Sequence, residues 1–333
     1  MTPKISIVEV AADAGVSVTT VSHALSGKRA VSNATRAKVL ASIERLNYRP
    51  SMLAQGLRNQ QTRTVGLLIA DITNPYYPAV ARAVHDGLTA HRYLPLIGNT
   101  DGDPDVESSF LHEMLARSVD GIIMQPMALC ATEIYDIVGP STALVMTGND
   151  AGDPRVDTVT SDDGVGITEA VGHLHGRGYR RIGFVSGPEH LGPGDSRLAA
   201  FRTAMAGSGL TVEERWIRRA AYTRDGGEHT CARWFAEDDV PEAIVCANDL
   251  IAIGAMDAAR AAGLVVPQDV AIVGFDDIET ADLVTPRLTT VINPATAVGA
   301  ACAAALLARM QSDHDLPAVR HALPTRLVVR ESA

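Results

Sequence analysis

The stretch Ser6-Ile7-Val8-Glu9-Val10-Ala11-Ala12-Asp13-Ala14-Gly15-Val16-Ser17-Val18-Thr19-Thr20-Val21-Ser22-His23-Ala24-Leu25-Ser26-Gly27 holds two helix starts and two helix stops. Ser6 and Glu9 have the S-x-x-E form of a capping box, in which the serine hydroxyl accepts from the N3 amide and the glutamate reaches back to the serine amide. A short helix then runs to about Ala14 with Ile7, Val10 and Ala11 on one face. Gly15 stops it, because glycine accepts the left-handed conformation that a C-cap requires. Ser17 can cap a second helix, Val18 to about Leu25, whose Val21 and Leu25 face the same core, and Gly27 ends it. Two short helices about a glycine turn predict a helix-turn-helix. A third helix begins near Ser32, the expected cap, with Val39, Ile43 and Leu46 recurring at i, i+4 and i+7. Val18, Thr19, Thr20, Ser22 and His23 are short or polar and are expected on the outer face, away from Val21 and Leu25.

The charge of the chain divides at the same place. Its 333 residues carry a formal net charge of −10, yet all the lysines, Lys4, Lys28 and Lys38, lie near the start. Residues 1–64 hold nine basic and three acidic side chains, a net of +6, and the remaining 269 residues hold 20 arginines against 36 acids, a net of −16. A basic head on an acidic body is the asymmetry of a nucleic-acid-binding module joined to something else. A solvated basic face gives the same count, so charge alone leaves both readings open. The length suggests two or three folded units, and an apolar fraction of 46% is too high for intrinsic disorder. No run approaches the ~18 apolar residues of a membrane helix, and Met1-Thr2-Pro3-Lys4 lacks the core of a secretory signal, so a cytoplasmic protein without a membrane partner is expected. Cys130, Cys231, Cys246 and Cys302 are scattered without metal-site or disulfide spacing and read as buried small hydrophobes. Neither a metal nor a cofactor is expected.

The run Val10 to Ser22, with Val31-Ser32, Thr35-Arg36, Val39 and Leu46-Asn47-Tyr48-Arg49-Pro50, resembles the helix-turn-helix of the lactose-repressor (LacI/GalR) family of bacterial transcription regulators. The resemblance implies contacts to double-stranded operator DNA from Ser17, Val18, Thr19, Thr20, Ser22, His23 and Asn33. His23 departs from the arginine usual there; it can donate to a guanine or a phosphate but lacks the bidentate fork. The next segment, Ser51 to Thr62, reads on sequence as a plain linker or a short helix of poor autonomy, since Gly56 costs ~1 kcal/mol relative to alanine. In the resembled family it becomes a helix on DNA, where a leucine wedges into a minor-groove base step. Leu57 matches that leucine, and Ala54 lies one turn earlier on the same face.

From Thr64 onward, apolar runs alternate with helix-period segments. Val65–Ala70, Pro95–Gly98, Gly121–Gln125, Leu144–Met146, Ile182–Ser186, Ala243–Ala247 and Val270–Gly274 read as buried strands, with a last strand at Leu327–Val329. Helices are expected near Ala79–Ala90, Val106–Arg117, Val165–Arg177, Ser196–Ser208, Gly227–Ala236 and Leu250–Ala262. The alternation implies parallel sheets covered on both faces, and the strands are too many for one sheet, which gives two α/β lobes with a cleft. A late helix, Ala295–Arg309, is expected to cross back between the lobes. Ligands of open parallel sheets sit beyond the carboxyl ends of the strands. Those ends carry Asp71 to Tyr77, Gln125, Asn248-Asp249 and Asp276-Asp277, groups that suit a polyhydroxylated ligand because one carboxylate accepts from two vicinal hydroxyls. Arg197 can donate to it, and Tyr76, Tyr77 and Tyr222 can supply flat apolar faces. The structural readings stay open beside these: Asp249 as a helix cap, Asp276-Asp277 as a turn, Tyr77 as core.

Asp71-Ile72-Thr73-Asn74-Pro75-Tyr76-Tyr77, Val119-Asp120-Gly121-Ile122-Ile123, Arg181-Ile182-Gly183, Val273-Gly274-Phe275-Asp276-Asp277 and Pro286-Arg287-Leu288-Thr289-Thr290-Val291 resemble landmarks of the same family, in its order. The fold so implied is a helix-turn-helix domain (residues 1–49), a hinge helix and linker (50–63), and a two-lobed α/β effector domain like a periplasmic binding protein (64–333). The effector contacts implied are Arg197, Asn248 and Asp276, with Tyr222 stacking on the ligand, and with Tyr76, Tyr77 and Gln125. A homodimer is implied, since the heptad tail of tetrameric members is not seen before Ala333. The function expected is repression of metabolic, carbohydrate-related genes relieved by a sugar or related metabolite. Sensing of a nucleoside or other corepressor is the alternative. An enzyme reading finds no phosphate loop, dinucleotide fingerprint, zinc motif or nucleophile elbow.

Overall fold

A computed structural model describes residues 5–26, 29–49, 61–148, 152–237, 239–312 and 317–333. The chain divides into two compact units, Met1–Thr62 and Arg63–Ala333.

The first unit contains helices α1 (Ile7–Ala14), α2 (Val18–Ser26) and α3 (Asn33–Arg45). The capping box forms: Ser6 N donates to Glu9 Oε2 at 2.7 Å and Glu9 N to Ser6 Oγ at 3.4 Å. Gly15 takes φ +64°, and the Ser17 and Ser32 hydroxyls accept from Thr20 N at 3.1 Å and Thr35 N at 3.2 Å. Val10, Ala11, Val21, Ala24 and Val39 form the small core. A polar tie supplements it. The buried Ser42 hydroxyl lies 3.2 Å from the Val10 carbonyl oxygen and 2.5 Å from the Asp13 carboxylate, which also pairs with Arg45. One expectation fails here: Ser22 is buried at 7% exposure instead of facing outward, because it lies on the side of α2 that turns toward the other helices.

The second unit contains two six-stranded sheets. Lobe 1 is built from β1 (Thr64–Ile69), α4 (Tyr76–Thr89), β2 (Leu94–Asn99), α5 (Pro104–Ala116), β3 (Gly121–Met124), α6 (Ala131–Val138), β4 (Ala143–Gly148) and β5 (Asp157–Asp162). The chain then enters lobe 2 through α7 (Asp163–Gly176), β6 (Ile182–Ser186), α8 (Gly194–Gly207), β7 (Ile217–Arg219), α9 (Arg224–Phe235), β8 (Ala243–Cys246), α10 (Asp249–Ala261), β9 (Ala271–Asp276), α11 (Thr280–Leu283) and β10 (Thr289–Ile292). It returns to lobe 1 for α12 (Ala295–Gln311) and β11 (Arg320–Pro324), and crosses once more into β12 (Arg326–Val328). The strand orders are β11-β5-β4-β3-β1-β2 and β12-β10-β9-β8-β6-β7; every pairing is parallel except β12 on β10. Both lobes thus share a 2-1-3-4-5 core order, with switch points between β1 and β3 and between β6 and β8, where open α/β sheets bind ligands.

Central strands such as β1, β3, β8 and β9 are apolar apart from Thr64 at the start of β1 and Asp276 at the end of β9, because helices cover both faces. The α12 helix does not itself bridge the lobes. It lies against α4 and β3–β5 of lobe 1, closely enough that a Cβ on Gly299 would stand 2.4 Å from the Val80 carbonyl oxygen. The crossing is made instead by the short segment after Ile292. Cys231, Cys246 and Cys302 are buried, but Cys130 is exposed at the amino end of α6, where its amide donates to Glu133. Among the described residues, no helix is long and apolar enough to cross a membrane and no His/Cys/Asp/Glu group could hold a metal.

Candidate functional site

A cavity of about 220 Å³ opens between the carboxyl ends of the strands of the two lobes. Lobe 1 lines it with Asn74, Tyr76, Tyr77 and Gln125, and lobe 2 with Arg197, Tyr222, Asn248 and Asp276. The seven implied effector contacts, Tyr76, Tyr77, Gln125, Arg197, Tyr222, Asn248 and Asp276, therefore meet in one place, whereas Asp249 and Asp277 do not line it.

Arg197, one turn into α8, is 4% exposed and forms the floor. Its Nε donates to Asp163 Oδ2 at 2.7 Å and its Nη1 to the Ala247 carbonyl at 2.6 Å, and its guanidinium lies 3.7 Å over the Phe275 ring. Burial opposes its charge, but Asp163 and Asp276 outweigh burial and hold its pKa above the ordinary arginine value. Asp276, at the end of β9, sits 3.8 Å from Arg197 Nη1. Burial lifts its pKa to about 6, against the pull of Arg197 and of a hydrogen bond from Asn293.

The turn that presents Asp276 is strained and pinned. Asp276 and Asp277 have φ of +116° and +55°, sparsely populated for residues with a Cβ. Asp249, fully buried at the first position of α10, holds the turn by accepting from Ile278 N at 2.9 Å and Thr290 Oγ1 at 2.5 Å. Its pKa is raised by burial and by the charge of Asp276. Asp249 is neither helix cap nor cavity lining. The cap is Asn248, whose Oδ1 accepts from Ile251 N at 2.9 Å while the residue also faces the cavity.

Aromatic groups close the sides. Tyr76 and Tyr77 stand edge to face at 5.5 Å and are both core and cavity wall. Tyr222 lies so close to the Gly187 and Gly194 backbone that a Cβ on either would collide with its ring or hydroxyl, and its hydroxyl donates to the Leu191 carbonyl at 3.2 Å. Burial pushes its pKa up to about 12, so the hydroxyl is neutral.

Asn293 was missed in the sequence. It directly follows β10 at the crossing into lobe 1, is 5% exposed and lines the cavity. Its position beyond the carboxyl end of a strand, just before Pro294, was the available signal.

In the head, Ser17, Val18, Thr19 and Asn33 are exposed, Thr20 and His23 are half-buried, and Ser22 is buried. Arg29, Arg36, Lys38, Arg45 and Arg49 are also exposed. Ala54 and Leu57 lie outside the described residues.

Comparison with known proteins agrees with this arrangement. Residues 6–51 match the model of bacterial regulatory proteins of the lacI family, and residues 171–333 match a periplasmic binding protein-like domain. The chain is 33% identical over 329 residues to catabolite control protein A of Priestia megaterium, covering 98% of this chain and 99% of that one. It is 35% identical over 297 residues to the ribose operon repressor of Escherichia coli K12, covering 87% and 88%. Its fold is similar to that of the chain in the crystal structure of the lac repressor dimer bound to operator and the anti-inducer ONPF, with a TM-score of 0.90, 24% identity and 99% of each chain covered. The chain belongs to the lacI family of bacterial regulatory proteins.

Proposed function

We propose that this regulator is a homodimeric repressor of metabolic genes, most simply carbohydrate genes, that binds a pseudo-palindromic operator and is released when a small molecule fills the cavity between its lobes. The observation that carries the reading is the cavity itself: polar and aromatic side chains from both lobes converge there, with Asn293, at one of the crossings between the lobes, among them. A ligand held by both lobes favours one lobe arrangement over another, and any ligand with such differential affinity is linked to a second binding event by a coupling free energy. The exposed residues Ser17, Val18, Thr19 and Asn33, in a unit that also exposes Arg29, Arg36, Lys38 and Arg49, are where we place the DNA contacts, together with half-buried Thr20 and His23. Ser22 serves packing.

The division into residues 1–49, 50–63 and 64–333 follows from this assignment, with 50–63 as the segment that answers ligand binding. We assign the chain to the cytoplasm and to no catalytic role; the regulators it resembles are named for control of genes, not for a reaction. Binding to duplex DNA selected from a random pool tests the proposal. An enriched sequence should be pseudo-palindromic, and its release by a ligand should be lost in Asp276→Asn. Enrichment of no sequence, or release unaltered by that substitution, would count against it.

A further inference from the structure

We propose that the cavity selects an uncharged, hydroxyl-rich ring of monosaccharide size and rejects the phosphate ester of the same ring. The inference rests on reading the cavity as the effector site and narrows what that effector is.

Charge is the first argument. Asp71, Asp101 and Asp276 line the cavity, and Arg197 is the one lining cation among the described residues. The charge of that cation is offset by two carboxylates: Asp163 takes its Nε at 2.7 Å and Asp276 stands 3.8 Å away, while the Ala247 carbonyl takes its Nη1 at 2.6 Å, so the donors left to it can serve a neutral hydroxyl without a net positive charge to attract a phosphate. No lysine follows Lys38 in the whole chain, so none is available to the cavity from the body. Helix amino termini, the other common anion sites, are occupied. Asn74 Oδ1 accepts from Tyr76 N at the start of α4, Asn248 Oδ1 accepts from Ile251 N in α10, and α8 carries Asp195 in its first turn. A phosphate placed here would meet carboxylates in a partly desolvated space, where like charges repel strongly.

The hydrogen-bonding groups left over are the second argument. Asp276 Oδ1 accepts from Asn293, while its Oδ2 has no donor among the described residues. The side-chain amide of Gln125 makes no hydrogen bond among the described residues, nor does the NH2 of Asn74, although both residues are only 6% exposed. One ionised acceptor and two neutral amides suit hydroxyls, each of which donates once and accepts as well. Size is the third argument. At about 220 Å³ the cavity falls below the ~300 Å³ at which pockets for drug-sized molecules begin. Tyr76 and Tyr77, both buried in the core, limit its expansion.

The test is direct binding to ligand-free protein, by thermal shift and calorimetry, without DNA. The probes are ribose, glucose, galactose and fructose, the monophosphate of each, and cellobiose. The expected result is that at least one free monosaccharide binds at millimolar concentration or below. Its phosphate should be weaker by on the order of 100-fold, and the disaccharide should not bind. In Asp276→Asn the free sugar should weaken and the gap between sugar and phosphate should narrow, which a merely structural aspartate would not produce. Equal or tighter binding of a phosphate ester, or no binding by any free monosaccharide, overturns the inference. Operator binding is scored separately by gel shift, so a failure of the regulator reading and a failure of the ligand class remain distinct.

Discussion

The side-chain amide of Asn293 donates to Asp276 Oδ1 at 3.0 Å, and its own Oδ1 accepts from Ser161 Oγ at 2.6 Å. One side chain thus connects the cavity acid to the first segment by which the chain leaves lobe 1. The third crossing is tied to the same place, since Thr325 Oγ1 donates to the Asp162 carbonyl at 2.6 Å and accepts from Gly166 N at 2.9 Å. On the proposed reading, a ligand held by Asp276 would act on groups hydrogen-bonded to the segments that join the lobes.

Ser161→Ala removes the far end of this connection without touching the cavity lining. Ligand affinity should stay within about fivefold, since one partly exposed hydrogen bond contributes only ~1 kcal/mol. The ligand-induced change in operator affinity should shrink several-fold. Calorimetry for the ligand and fluorescence anisotropy for labelled operator separate the two quantities.

Ligand affinity should depend on pH through Asp276. Its pKa of about 6 means the carboxylate is ionised above that value and able to accept two hydroxyls. A ligand that prefers the ionised form binds with constant affinity above about pH 7 and more weakly as pH falls through 6, approaching tenfold per unit. The same shift acts oppositely on stability. The native state binds this proton more tightly than the unfolded chain, so this group's contribution declines between about pH 4 and pH 6 as pH rises. Calorimetric titrations across pH 5 to 8 check the first statement; an affinity flat through pH 6 contradicts it.

Two glycines give opposite expectations. A Cβ on Gly254 would stand 2.0 Å from the Arg224 carbonyl oxygen and 2.5 Å from Glu228 N, both backbone atoms of α9, so α9 and α10 would have to separate. Gly254→Ala should destabilise by ~1–3 kcal/mol or more. Gly172, exposed within α7, meets nothing within 4 Å, and Gly172→Ala should stabilise by up to ~1 kcal/mol through helix propensity. Urea unfolding of the two variants measures both.

Ser42→Ala should weaken the head selectively. The buried hydroxyl serves the Val10 carbonyl and the Asp13 carboxylate, and leaving them without it costs ~1–3 kcal/mol. Operator binding should then be lost at a lower temperature than ligand binding, as read by anisotropy and calorimetry over a temperature series.

Much of this was legible in the sequence, for identifiable reasons. Capping residues at Ser6, Ser17 and Ser32 and the stop at Gly15 act locally, so the head could be placed to within a residue or two. The buried strands of both sheets announce themselves as short apolar runs. Strand β11, Arg320–Pro324, does not: it is an edge strand with exposed side chains and carries no apolar signature. Strand β5, Asp157–Asp162, has polar side chains satisfied by ion pairing and crossing contacts, as with Asp157 to Arg309 at 2.5 Å, which pattern reading does not see. Strand β10 was hidden by buried Thr289 and Thr290, whose hydroxyls bond to Arg330 N and Asp249. Asn248 lines the cavity as expected, but it also takes the cap expected of Asp249, because adjacent polar residues at a helix start cannot be told apart without the turn that one of them holds. Asn293 escaped because its importance lies in joining residues 17 and 132 positions away.

The most direct measurement is anisotropy of labelled operator against wild-type protein and Asp276→Asn, with and without a saturating sugar found by direct binding, over a salt series. The account predicts steep salt dependence, with a log–log slope of about −0.9 per phosphate contacted. It also predicts an operator affinity that the sugar lowers at least tenfold in wild type and leaves unchanged in Asp276→Asn. Operator affinity identical with and without a sugar that demonstrably occupies the cavity would contradict it.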